Sequence, residues 1–144
     1  MLCLTHAAWK PSLAQKIAIA VVDDDEAVRE AVTSLIRSLG YNASAFERPD
    51  DFLKSSSRGD ICCLIVDMQM PRMTGIALYH QLVATGDPIP TILITAYPDE
   101  KMRARALQDG VICYLSKPFK EDDLLAGIQA ALDQRSLRGT ERRG

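Results

Sequence analysis

Four apolar runs rich in β-branched residues, and one shorter, more polar strand-like segment, alternate along this chain with five segments of helical period. The first run is Ile17–Val22, and it breaks off into Asp23, Asp24, Asp25 and Glu26. From Val28 the period changes: Val28, Val32, Leu35, Ile36 and Leu39 recur at i, i+4, i+7, i+8 and i+11, one face of a helix. The acids lie at the start of that helix, where its dipole favours them, and Gly40 stops it. Asn42–Phe46 reads as a short second strand. Pro49 opens a short helix whose apolar contacts are Phe52 and Leu53, and Ser55–Gly59 is a polar loop. The third run, Ile61–Val66, is apolar without interruption, as expected of a parallel strand covered on both faces. Gly75–Ala84 follows as a helix with Leu78, Tyr79 and Leu82 on one side. Thr91–Thr95 is the fourth strand. Pro98 fits the first turn of a fourth helix that reaches about Gln108, with Lys101, Arg103 and Arg105 among few apolar residues. Val111–Ser116 is the fifth strand. A fifth helix opens on Glu121, Asp122 and Asp123 and turns Leu124, Leu125, Ile128, Ala131 and Leu132 inward.

Strict strand–helix alternation implies an α/β fold: a five-stranded parallel sheet with right-handed crossovers and helices on both faces. Length and an apolar content of 47% with 25% charged residues fit one globular domain with a proper core. The expected layout is a loose leader over 1–15, the domain over 16–134, and a frayed basic tail over 135–144. A net charge of −2 leaves no global footprint for nucleic acid, and the basic tail reads as a solvated one. The apolar runs are too short to span a bilayer and the first residues lack a secretory pattern, so the expected location is the cytoplasm. Cys3, Cys62, Cys63 and Cys113 match no zinc spacing. They read as small hydrophobes in a reduced setting, with Cys62 and Cys63 on opposite faces of one strand.

In an open α/β sheet, function collects beyond the carboxyl ends of the strands. The first strand delivers Asp23 and Asp24 there, the third Asp67, the fourth Thr95 and the fifth Lys117. Carboxylates a few ångströms apart repel by about 4 kcal/mol per pair at an effective dielectric near 20, so they stay ionised only beside cations. Oxygen donors with an open position suit Mg2+, with a phosphate oxygen filling the sphere. Asp67 then supplies a nucleophilic oxygen, since carboxylates accept phosphoryl groups covalently. The metal and the Lys117 ammonium neutralise the transferring oxygens, and the Thr95 hydroxyl binds the arrived phosphoryl group.

With Asp23-Asp24, Asp67 within Asp-Met-Gln-Met-Pro-Arg-Met-Thr-Gly75, Thr95-Ala96 and Lys117-Pro118-Phe119 in this order, the chain from about Ile17 to Leu132 resembles the receiver domain of bacterial two-component response regulators. The stretch from Cys62 to Gly75 is most similar to receivers of nitrogen-fixation-type regulators. The resemblance implies a flavodoxin-like (βα)5 sandwich with strand order 2-1-3-4-5 and phosphoryl transfer to Asp67 from a phosphohistidine on a sensor histidine kinase. It implies Mg2+, with Mn2+ as a substitute, held by Asp23, Asp24, Asp67 and the backbone carbonyl of Gln69. It also implies phosphoryl contacts from Lys117 and Thr95, and a switch pair of Thr95 and Tyr114. Gln69 and Tyr97, each two residues beyond a site residue, would flank the phosphoryl group and tune its hydrolysis, with the bulky Tyr97 slowing attack by water.

The expected activity is that of a signalling switch that catalyses only its own phosphorylation and dephosphorylation. Its readout is the face made by the fourth helix, fifth strand and fifth helix, which offers a protein partner or a second copy of the chain a surface. The fourth helix has few apolar contacts and is therefore cheap to move. Other readings are weaker. A haloacid-dehalogenase-type phosphatase needs an acid where Gln69 stands. A nucleotide or flavin binder needs a Gly-rich loop where Asp23–Asp25 stand. A degenerate receiver, a protein-interaction module working without phosphorylation, has no need of the intact acid, Thr and Lys set. Asp25 reads as a helix cap; Met68, Met70 and Met73 as packing; His6 and His80 as lacking ligand-like company. Too few residues follow Leu132 for a DNA-binding or catalytic domain. A complete chain would thus be a stand-alone receiver that binds a partner or passes phosphate to a histidine phosphotransfer protein.

Overall fold

The computed structural model describes residues 17–56 and 58–143, with side chains described to Arg135. The leader, Cys3 and His6 lie outside these residues.

Five strands, β1 (Ala18–Val22), β2 (Asn42–Phe46), β3 (Ile61–Asp67), β4 (Thr91–Thr95) and β5 (Cys113–Ser116), form one sheet. All neighbours are parallel, and the order is β2-β1-β3-β4-β5. Helices α1 (Glu26–Ser38), α2 (Pro49–Lys54), α3 (Gly75–Ala84), α4 (Glu100–Asp109) and α5 (Glu121–Arg143) connect or follow the strands, with a short 3-10 turn at Arg58–Asp60. This is the flavodoxin-like arrangement.

The pleat divides the core in two. Ile19, Val21, Cys63, Ile65, Ile92 and Ile94 point to one face, where Val32 and Ile36 of α1 and Leu124, Ile128 and Ala131 of α5 cover them. Ala20, Val22, Leu64, Val66 and Leu93 point to the other, beneath Phe52 of α2, Leu78 and Leu82 of α3 and Ala106 of α4. All seven residues of β3 are buried, which is why its sequence shows no alternation. Truncating one of these side chains, Ile65→Ala for example, would cost about 2–5 kcal/mol. Ala106 is the only buried residue of α4, so few side chains of that helix are fixed by the core.

Three boundaries differ from the expected ones by more than one residue. Helix α4 starts at Glu100, because the Asp99 carboxylate accepts from the Lys101 N–H and caps it; Pro98 stands before the cap rather than in the first turn. Strand β5 starts at Cys113, two residues late, because the chain at Val111 is still closing α4 through its N–H bond to the Ala106 carbonyl. Helix α5 continues to Arg143 instead of fraying at residue 135. Gln, Arg, Leu and Glu there are good helix formers, and Gly139 costs only about 1 kcal/mol against alanine.

Candidate functional site

Asp23 follows β1 directly and is wholly buried. Its N–H donates to the Phe46 carbonyl of the adjacent strand end (3.1 Å), and Arg29 of α1 reaches back to its carbonyl (2.7 Å). Its Oδ1 accepts from the Asp25 N–H at 2.9 Å. Asp25 turns away and caps α1, accepting from the Ala27 and Val28 amides, as expected. Asp24 is exposed. Asp67, the last residue of β3, is 4% exposed and accepts from the Gln69 N–H at 3.3 Å. Asp23, Asp24 and Asp67 each bring one carboxylate oxygen within 4.8 Å of the others.

Lys117 closes the rim. Its N–H donates to the Thr95 carbonyl at 2.7 Å, extending the β4–β5 ladder, and a cis peptide joins it to Pro118. Its ammonium stands 3.2 Å from Asp23 Oδ2 and 3.4 Å from Asp67 Oδ2. Burial and the neighbouring Asp23 charge push the Asp67 carboxyl above its usual range, against the pull of Lys117 and the Gln69 amide. Burial would lower Lys117, but Asp23 and Asp67 outweigh it and raise it. The lysine is firmly charged, yet one ammonium does not balance three carboxylates. The donor set fits a hard cation. It is all oxygen, it is open to solvent at Asp24, and the buried Asp23 Oδ2 makes no aligned hydrogen bond, although Lys117 is near.

Thr95 is wholly buried at the end of β4. Its hydroxyl accepts from the Tyr97 N–H at 3.0 Å and donates to Gln69 Oε1 at 2.8 Å. Tyr97 itself is 74% exposed. The partly buried Tyr114 packs into the α2–α4 side of the core. Its hydroxyl accepts from the Asp99 N–H at 3.4 Å, so it reaches the cap of α4 rather than the carboxylates. The turn after β3 is tight: Gly75 N–H bonds the Met68 carbonyl, and a Cβ on Gly75 would lie 2.6 Å from the Asp67 carbonyl oxygen. Only glycine fits there.

The strand-end residues Asp23, Asp24, Asp67 and Lys117 therefore converge, with Thr95 tied to them through Gln69. The Gln69–Thr95 bond and the Arg29 grip on Asp23 were not read from the sequence; Arg29, one turn into an acid-capped helix, carried the only hint. His80 does have company: its Nε2 lies 2.8 Å from Asp109 Oδ2, tying α3 to α4. Met68 and Met70 are buried and Met73 packs beside them. Cys62, Cys63 and Cys113 are free thiols, and burial pushes Cys63 and Cys113 upward, away from reactivity.

The model of the response regulator receiver domain matches residues 19–129. The chain belongs to the response regulator receiver domain family. Phosphorylation-based signalling in two-component systems is the general function of this family. The chain is 40% identical to the response regulator protein TodT of Pseudomonas putida over 114 residues, 79% of this chain and 50% of that protein. It is 32% identical to the transcriptional regulatory protein FixJ of Bradyrhizobium diazoefficiens, over 81% of this chain and 57% of that protein. Among solved structures it is similar to the response regulator StyR, with a TM-score of 0.80 and 41% identity over 88% of this chain and 64% of that one. The fold of a receiver domain protein from Clostridium thermocellum matches with a TM-score of 0.78 at 23% identity, over 84% of this chain and 98% of that one. The chain spans about half the length of the curated relatives TodT and TmoT. No helix among the described residues is long and apolar enough to cross a membrane.

Proposed function

We propose that Asp67 is the phosphoryl acceptor of this receiver and that a sensor histidine kinase is its donor. The observation that carries this is the placement of Asp67: a buried strand-end carboxylate beside two others, with an ammonium 3.4 Å away. One Asp67 carboxylate oxygen attacks the phosphorus of a phosphohistidine. The P–O bond forms as the P–N bond breaks, and the imidazole nitrogen takes a proton. Lys117 offsets charge on the phosphoryl oxygens. Thr95 turns its hydroxyl to a phosphoryl oxygen once the group has arrived. Asp23, Asp24, Asp67 and the Gln69 backbone carbonyl are the ligands for Mg2+, with Mn2+ as a substitute. Such an ion supplies positive charge to the carboxylates and the transferring group.

Phosphorylation then biases the α4–β5–α5 face. Movement of Thr95 is passed to Tyr114, whose hydroxyl already meets the α4 cap, and α4 has a single buried residue, Ala106. The reader of that face is a downstream protein, a histidine phosphotransfer protein or a second copy of the chain. Gln69 and Tyr97 flank the phosphoryl group and set its lifetime. We place the receiver unit at residues 16–134 and the protein in the cytoplasm, acting as a switch and not as an enzyme on other substrates. The intact set of Asp67, Thr95 and Lys117 favours this over a phosphorylation-independent module.

Incubation with a small acyl phosphate and Mg2+, followed by intact mass, tests the reading. The wild type gains one phosphoryl group, and chelation of the metal prevents it. An undiminished adduct on Asp67→Asn, or none on the wild type, would overturn it.

A further inference from the structure

The Thr95 hydroxyl carries one proton, and in the resting molecule that proton is committed. The hydroxyl oxygen accepts from the Tyr97 N–H at 3.0 Å, and its one hydrogen goes to Gln69 Oε1 at 2.8 Å, a carbonyl oxygen that can only accept. Thr95 is wholly buried, whereas Gln69 is exposed. The backbone N–H of the same Gln69 donates to Asp67 Oδ1 at 3.3 Å. One residue thus holds both resting partners, the acceptor by its main chain and the hydroxyl by its side chain. A phosphoryl group on Asp67 presents only acceptor oxygens. It engages Thr95 only after the bond to Gln69 has broken.

From this geometry we infer that the Gln69 carboxamide is a latch on Thr95 that competes with the phosphoryl group for its hydroxyl and holds the domain in its resting form. Gln69 is a positioning residue acting through Thr95. The inference rests on Asp67 being the acceptor. The competition is uneven, since a hydrogen bond to a charged oxygen is about twice as strong as one to a neutral amide. The latch therefore raises the threshold for switching without blocking it. Its removal costs the fold little beyond the one hydrogen bond that the buried Thr95 hydroxyl loses, because the Gln69 position itself faces water.

The test uses Gln69→Met, which keeps the length of the side chain and removes the acceptor, and Gln69→Ala. Binding of beryllofluoride with Mg2+, a mimic of the phosphorylated aspartate, should tighten about threefold to tenfold in both, the range of one neutral hydrogen bond. In a Thr95→Ala background the same substitutions should change affinity by less than a factor of about two. The metal-free protein gives a second readout: the Tyr97 amide resonance, which reports on the Thr95 oxygen, should already be displaced in Gln69→Met towards its position in the beryllofluoride-bound wild type. Unchanged or weakened affinity in Gln69→Met, or an equal gain without Thr95, would overturn the latch. Beryllofluoride binding that survives Asp67→Asn would instead overturn the acceptor reading.

Discussion

The Lys117 ammonium stands 3.4 Å from the Asp67 carboxylate and is shared with Asp23 at 3.2 Å. One cation thus ties the end of β5 to the ends of β1 and β3. Lys117→Met leaves two buried carboxylates without a counter-charge. Stability of the metal-free protein at neutral pH should fall by about 3 kcal/mol, the lower end for breaking a buried pair, as read by urea unfolding. The folded-state pKa of Lys117 is raised. Its contribution is therefore complete below the ordinary lysine pKa and is lost only as pH climbs through the folded one. The deficit of the variant should hold across neutral pH and shrink in strong alkali.

Asp67 has the opposite consequence. Burial and Asp23 raise its folded-state pKa above 3.8, so its ionised form costs the folded state stability. That cost is full above the folded pKa and fades as pH falls through it. Asp67→Asn should melt higher than wild type at neutral pH in chelator, and the gap should close as the solution is acidified. Added Mg2+ should raise the melting point of wild type more than that of the variant. Thermal unfolding at several pH values, with and without the metal, checks both signs.

Gly75 sets the turn that carries Asp67. An alanine Cβ would meet the Asp67 carbonyl oxygen at 2.6 Å and Leu93 Cδ2 at 2.9 Å. Gly75→Ala should cost about 1–3 kcal/mol and slow phosphorylation, because relief of the clash moves the end of β3. Gly59→Ala, where nothing lies within 4 Å, is the control and should leave both unchanged. Denaturant midpoints and phosphorylation rates separate the two.

Tyr114→Phe removes the hydroxyl that receives the Asp99 N–H at 3.4 Å. The bond is long, so stability should fall by less than about 1 kcal/mol. Hydrogen exchange at the start of α4 should quicken, while the rate of phosphoryl loading should stay within a factor of about two. Any loss should appear in partner capture by the loaded form.

Much of this arrangement was legible in the chain because its signals are local. The unbroken run of β3 and the helical spacing of Val28 to Leu39 gave the alternation, and alternation gave the sheet. Asp23, Asp67 and Lys117 stood at strand ends, so their meeting followed from topology alone. What escaped depends on side-chain reach. Arg29 bonding the Asp23 carbonyl and Gln69 accepting from Thr95 are contacts between elements whose distance no spacing rule fixes. The start of α4 differs from the expected one because Pro98 and Asp99 both mark helix beginnings, and the Asp99 cap prevails. The basic segment after Gln134 reads as a frayed tail, but helix-forming neighbours carry α5 through Gly139 to Arg143.

The central claim, that Asp67 carries the phosphoryl group, is tested most directly by locating the adduct. An acyl phosphate is reduced by borohydride to an alcohol, which marks its residue permanently. Peptide sequencing of the phosphorylated, reduced protein should find the mark at Asp67 and nowhere else. A mark at Asp23 or Asp24, or a phosphoryl group resistant to reduction on Thr95, would contradict the account.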